Sequence, residues 1–182
     1  DKAEGKTKND YFREMVREVK QWGLQPAWVT GDSWYSSLEN LKFLRNEKAG
    51  FLFGVASNRQ VSQQRGTTVP VQDVEIPETG VKVYLKAFGW VKLFSQPFKN
   101  EPRYYILYQP EPVALEKLSR KEFKAIHDAH WQIECFHRVI KQVCNIERFY
   151  VRNEQAIRNH VFCALRAFCQ LQKLCLEGAI GN

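Results

Sequence analysis

The 182-residue chain is 44% hydrophobic and 26% charged, enough apolar material for one sizeable core and too much for a disordered protein. Lys and Arg outnumber Asp and Glu by 27 to 20, leaving a formal charge of +7, which suits a polyanionic partner without requiring one. No run of 18 apolar residues occurs and the opening DKAEGKTKND is charged, so neither a membrane span nor a secretory leader is expected, and the setting is expected to be cytoplasmic.

The first expected element is a helix over Tyr11–Trp22, capped by Asn9 or Asp10 and stopped at Gly23, with Phe12, Met15, Val16, Val19 and Trp22 on one face. Pro26 leads into Ala27–Thr30, a short run suited to a buried strand that halts at Gly31-Asp32-Ser33 and so puts Asp32 at its carboxyl end. Ser36-x-x-Glu39 reads as a capping box for a helix carrying Leu38, Leu41 and Leu44, closed by Ala49-Gly50. Phe51–Val55 reads as a second buried strand. Helix, strand, helix, strand is the pattern of a crossover unit in an α/β sheet.

Between about 57 and 112 the texture becomes β-like, through VPVQDVEI, VKVYLKAF, WVKLF and RYYILYQ, with Gly, Pro and Asn between the runs. From about Ser119 the pattern is helical through Val143 and again over Gln155–Leu176, where Ile157, Val161, Leu165, Phe168 and Leu171 form a stripe that predicts docking on the core. The expected organisation is a central core part over 1–56, an inserted β-rich subdomain over 57–112, and C-terminal core helices over 113–182. Cys135, Cys144, Cys163, Cys169 and Cys175 all fall in this last part without C-x2-C pairs, the pattern of reduced core thiols.

The segment AIHDAHWQIECFHRVIKQV is the informative one. Wound as a helix, it places Ile126, Ala129, Ile133, Phe136, Ile140 and Val143 on or near one side. His127, His130, Trp131, Glu134, His137, Arg138 and Lys141 crowd the other. A carboxylate among such cations suits divalent-metal chemistry on phosphate, where the acid holds the metal and the cations meet the non-reacting phosphates. The plain alternative is a solvated helix face with Glu134 in i,i+4 pairs. A zinc site from His127, His130, Glu134 and His137 is a further one, although no H-E-x-x-H occurs.

WQIECFHRVIK, preceded by His127 and His130, resembles the Y-x2-R-x3-E-x6-K signature of one branch of bacterial insertion-sequence DDE transposases. Glu134 and Lys141 stand at its spacing, with His127 where it has tyrosine and His130 where it has arginine. VTGDSWYSS is similar to the site of that family's second catalytic aspartate, which makes Asp32 the matching residue. The β-rich stretch resembles the family's insertion. The resemblance implies an α/β, RNase H-like fold with an inserted β subdomain and C-terminal helices. Here the fold would be partial, because the opening strands and first aspartate find no match before Asp32; Asp1 opens the chain and Asp10 stands where a helix begins.

The resemblance also implies an enzyme: a cut-and-paste transposase joining DNA by metal-dependent phosphoryl transfer at transposon ends. Asp32 and Glu134 would be its catalytic, metal-binding carboxylates, for two Mg2+ ions about 4 Å apart or Mn2+ in their place. Its partner would be double-stranded DNA, at transposon ends and target, engaged by a homodimer in a synaptic complex at the nucleoid. His127, His130, Trp131, His137, Arg138 and Lys141 would face DNA, continued by Arg148 and Arg152. Trp90 would stack on a flipped base, with core packing as its plain alternative; Arg59 would reach DNA at the sheet edge or stand as ordinary surface; Trp34 has the same two readings as Trp90, of which packing near the site is the expected one. With two carboxylates of three, the chain alone is expected to lack cleavage and strand transfer. The competing readings are a non-catalytic DNA-binding or dimerising remnant and a nuclease of the same fold.

Overall fold

The computed structural model describes residues 5–64, 66–99 and 101–180; Asp1 lies outside them. The chain divides into two compact units, residues 1–128 and 129–182. Among the described residues are seven strands in one sheet and five α-helices, a mixed α/β fold.

The first unit opens with α1, Lys8–Gln21. Its cap is Thr7 rather than Asn9 or Asp10: the Thr7 side chain accepts from the Asp10 amide while the Asp10 carboxylate accepts from the Thr7 amide, a reciprocal box that satisfies two helix-end donors. The Thr7 hydroxyl and amide donated to that carboxylate hold Asp10 below its ordinary range. Gly23, at φ +83, closes the helix as expected. Of the expected apolar face only Phe12 is buried, whereas Met15 and Trp22 stay exposed, so α1 docks through a narrower stripe than its sequence suggests.

Strand β1, Trp28–Gly31, ends one residue before Asp32. A 3-10 turn over Ser33–Tyr35 follows, and then α2, Leu38–Asn46. The cap of α2 is Ser37, one residue beyond the expected Ser36, and Lys48 in the left-handed region closes it before β2, Gly50–Val55. Next come β3, Gln60–Gln64, and β4, Thr67–Pro70. The run VPVQDVEI is a strand only at its start, because Pro70 turns the chain into a 3-10 turn over Val71–Asp73. Strands β5, Val81–Leu85, β6, Gly89–Phe98, and β7, Glu101–Tyr108, form a meander.

The sheet order is β1-β2-β7-β6-β5-β3-β4. Only β1 and β2 run parallel, with Val29 opposite Phe51 and Gly31 opposite Phe53; every other pair is antiparallel, and the strands of 57–112 continue the sheet that β1 and β2 begin. Alternation along the strands feeds two cores. Phe51, Phe53, Val83, Val91, Leu93 and Ile106 join Phe12 of α1 and Leu41 and Leu44 of α2. On the opposite face Leu52, Phe94 and Leu107 meet Leu115, Leu118 and Phe123.

Leu115 belongs to α3, Pro112–Lys117, and Phe123 to α4, Arg120–Gln142. The start of α4 is a second capping box: the Glu122 carboxylate accepts from the Ser119 amide and hydroxyl, which hold its pKa below the ordinary range. Arg120 donates to the Ser95 carbonyl and Lys92 to the Leu118 carbonyl, tying this helix start to β6. Burial pushes the Lys92 ammonium pKa down, against the pull of Glu122.

The second unit holds the rest of α4 and the helix α5, Glu154–Leu176, capped by Asn153. Phe136 meets Phe168 edge to face at 4.9 Å, and the ring of His160 reaches the Asn145 carbonyl at 2.9 Å. Ala164 is buried, but Leu165 of the expected stripe is exposed. The cysteines are free thiols, as expected, but not core residues: Cys163 and Cys169 are exposed and the other three half-buried, since two helices share too narrow a face to enclose them. Among the described residues no helix is long and apolar enough to cross a membrane.

Candidate functional site

Asp32 stands where β1 gives way to the 3-10 turn, extended in backbone and exposed in side chain. Its local geometry follows from its neighbours. Gly31 and Gly54 let two strand ends approach closely: a methyl group at 31 would come within 2.9 Å of the Phe53 ring, and one at 54 within 3.3 Å of the Ser33 nitrogen. The turn is therefore laid against β2 rather than left in solvent.

Two polar side chains hold it there. Ser36, buried, donates to the Ser33 carbonyl at 2.7 Å. Asn40, with no exposed surface, donates to the Tyr35 carbonyl at 3.1 Å and to Asn9 Oδ1 at 2.9 Å. Its own carbonyl accepts from Arg13 at 2.9 Å, and Arg13 in turn pairs with Asp10 and, at 3.3 Å, with Glu39. A buried amide whose groups are all matched fixes one geometry for the turn it serves. Sequence reasoning missed Asn40; an amide three residues past the serine pair, among Leu38, Leu41 and Leu44, was the available sign.

Beyond the carboxyl ends of β1 and β2 lies a depression of about 370 Å³, lined by Ser33, Trp34, Ser36, Ala56, Asn58 and Arg59. Trp34 does not pack as expected: it is 76% exposed, because the anchored turn presents it outward. Arg59, half-buried, also lines the depression, from the turn between β2 and β3; β3 lies between β5 and β4 and is not an edge strand.

The remaining candidates distribute as follows. His127, in the first unit, is half-buried on the ring of Tyr105, with Nε2 3.3 Å from the Tyr105 hydroxyl and the Phe123 ring 5.6 Å away. That is a packed position on the side of α4 expected to be polar, whereas Ile133 and Val143, expected on the apolar side, are exposed. The two-faced division of α4 thus holds only in part, because the packed stripe runs through Phe123, Ile126 and His127. In the second unit Glu134, Trp131, His137, Arg138 and Lys141 are exposed and His130 half-buried. Lys141 pairs with Glu147 at 2.8 Å. Trp90, on β6, is 44% exposed, edge-on to Tyr84 at 5.5 Å with the Lys82 ammonium 5.2 Å from its ring. Among the described residues no three His, Cys, Asp or Glu side chains converge on a common point.

Fold and site together define a mixed α/β protein with an acidic residue exposed at the carboxyl end of a parallel strand pair, where α/β sheets collect their ligands. Residues 3–169 match the family described as the transposase DDE domain, and the chain belongs to that family. Membership implies a function in DNA transposition and a DNA substrate, and proteins of the family generally use divalent metal ions. No curated protein matches the chain.

Proposed function

We propose that this chain is catalytic-core sequence of a cut-and-paste DNA transposase of RNase H-like architecture, in which Asp32 and Glu134 hold Mg2+ for phosphoryl transfer on double-stranded DNA. The observation that carries the reading is the position of Asp32: an exposed carboxylate, on a turn fixed by Ser36 and Asn40, at the carboxyl end of the parallel β1–β2 pair in a member of the DDE family. Hard oxygen donors of this kind fit Mg2+ or Mn2+ and not a thiolate-seeking metal. Bound there, the ion supplies Lewis-acid stabilisation of the oxygens at the reacting phosphorus.

The chain's own part is to hold and orient. Asp32 contributes its carboxylate from a rigid turn, and the exposed Arg138 and Lys141 offer cations for phosphates away from the reaction. The Lys141–Glu147 pair is exposed, so it is worth about 0–1 kcal/mol and yields readily to a phosphate. A non-catalytic DNA-binding or dimerising remnant is the second reading, favoured by the lack of a three-ligand cluster among the described residues.

Two measurements test this. In the purified chain, Mn2+ is expected to broaden the NMR signals of residues 31–34 and of the helical stretch around Glu134, and Asp32→Asn to abolish the first effect. Unchanged spectra would favour the remnant. The chain is also expected to bind duplex DNA with an affinity that falls as salt rises, to lose about one unit of salt slope on Lys141→Ala, and to cleave nothing in Mg2+. Cleavage would refute the assignment of only two carboxylates to this chain, and binding indifferent to salt would refute the phosphate contacts.

A further inference from the structure

We propose that Trp34 and Arg59 form a base-stacking shelf that holds one unpaired nucleotide of the DNA strand beside Asp32. The proposal rests on the reading that the chain acts on DNA ends, and specifies what the first unit recognises there.

The Trp34 indole is 76% exposed on a surface turn, so its ring is open to a partner. Here it is also held. The Ser36 hydroxyl and the Asn40 amide fix the carbonyls of Ser33 and Tyr35, on either side of Trp34, so the ring is presented from a rigid backbone and binding a flat partner orders little. The depression at its base, about 370 Å³, lies in the lower part of the range of ligand pockets and is open to solvent.

Charge selects the occupant. The Lys8 ammonium stands 5.4 Å from the centre of the Trp34 ring, against one side of it, and Arg59 lines the depression. An aromatic plane flanked by cations favours a π-surface carrying a negative charge, which a nucleotide provides: the base stacks on the free side of the indole and the flanking phosphates meet Arg59 and Lys8. The base must be out of the duplex to offer its face, so the shelf takes a frayed or single-stranded nucleotide and not a paired one. Because Trp34 follows Asp32 by two residues on the same anchored turn, a base seated there would bring its strand to the turn that bears the carboxylate. Trp34 is thus a positioning residue, distinct from the aromatic Trp90 on β6.

The test uses the 182-residue chain and three short DNAs: a duplex with an unpaired end, the same duplex with abasic sites in that end, and a blunt duplex. The wild-type chain is expected to prefer the unpaired end over the abasic one. Trp34→Ala should weaken binding to the unpaired end about 5- to 150-fold, the span alanine substitution gives for base–aromatic stacking, and should erase the preference. Trp34→Phe should keep most of it, and Arg59→Ala should weaken binding to the unpaired end and lower its salt slope by about one unit. Binding to the blunt duplex should be untouched by Trp34→Ala. Circular dichroism should show both Trp34 variants folded, as an exposed side chain predicts. A Trp34→Ala chain that keeps the wild-type preference, or loses the same factor on all three DNAs, overturns the shelf alone. Wild-type protein that binds none of the three overturns the DNA-end reading and the shelf with it.

Discussion

Asn40 shows how much a single buried amide can govern. Its side chain serves the Tyr35 carbonyl, Asn9 and Arg13 at once, so cutting it to alanine leaves three groups wanting partners in a place water reaches poorly. Asn40→Ala is expected to cost about 1–3 kcal/mol, seen calorimetrically as a melting point lower by about 2–4 °C for each kcal/mol. Glu39→Ala, next door but exposed and only loosely paired with Arg13, should stay within about 0.5 kcal/mol. Equal losses at the two positions would show that the network does not fix the turn. The two acids proposed as metal ligands could be named as candidates from the sequence: Asp32 after an apolar run ending in glycine, Glu134 among basic side chains. The residues that support the Asp32 turn could not, since nothing in a linear reading joins Asn9, Arg13 and Asn40 across some thirty positions.

At the scale of elements, α1 and α4 both begin with a carboxylate folded back on its cap, Asp10 on Thr7 and Glu122 on Ser119. Both acids are held below their ordinary values of 3.8 and 4.5. A carboxylate with a folded pKa lower than its unfolded one contributes stability that is complete above the unfolded value and lost as pH falls through the folded value. The contribution is therefore intact at neutral pH and begins to fade as acid approaches 4.5, with Glu122 first and Asp10 below it. Glu122→Gln is expected to lower stability at pH 7 and to flatten its decline between neutral and acid pH, followed by urea unfolding; an unaltered slope would contradict the cap. Helix existence was readable from periodicity, but starts slipped by one to three residues because adjacent Thr, Asn, Asp and Ser all offer capping oxygens. Only the backbone decides which one is used. The face of α4 slipped for another reason, that His127 is flat enough to pack as an aromatic, which a polar-against-apolar division does not anticipate.

For the whole chain, alternation announced strands over 57–112 but not their partners, because a period of two fixes which side chains share a face and says nothing of neighbours. The observed order, with β7 seated beside β2, joins Phe51 to Tyr108 and carries the chain from its parallel edge into the antiparallel meander. The family match over residues 3–169 agrees with the class inferred from two short motifs, and it does so across both units. The separation of the two candidate acids in space was not legible, since motifs fix identity and spacing along the chain and leave distances open.

That same strand order sets a timetable. The meander β5–β6–β7 closes through short turns and should form early, whereas pairing β2 with β7 closes a loop of some fifty residues, a slower event. The turn bearing Asp32 lies against Gly54 of β2, so it cannot settle before β2 has found its place. Pulse-labelled hydrogen exchange during refolding is expected to protect the amides of β6 before those of β1 and β2; simultaneous protection would refute the sequence of events. A nascent or partly unfolded chain would then own a finished meander while its acidic turn is still unformed, so a metal ion held at Asp32 as proposed would bind only after β2 has docked on β7.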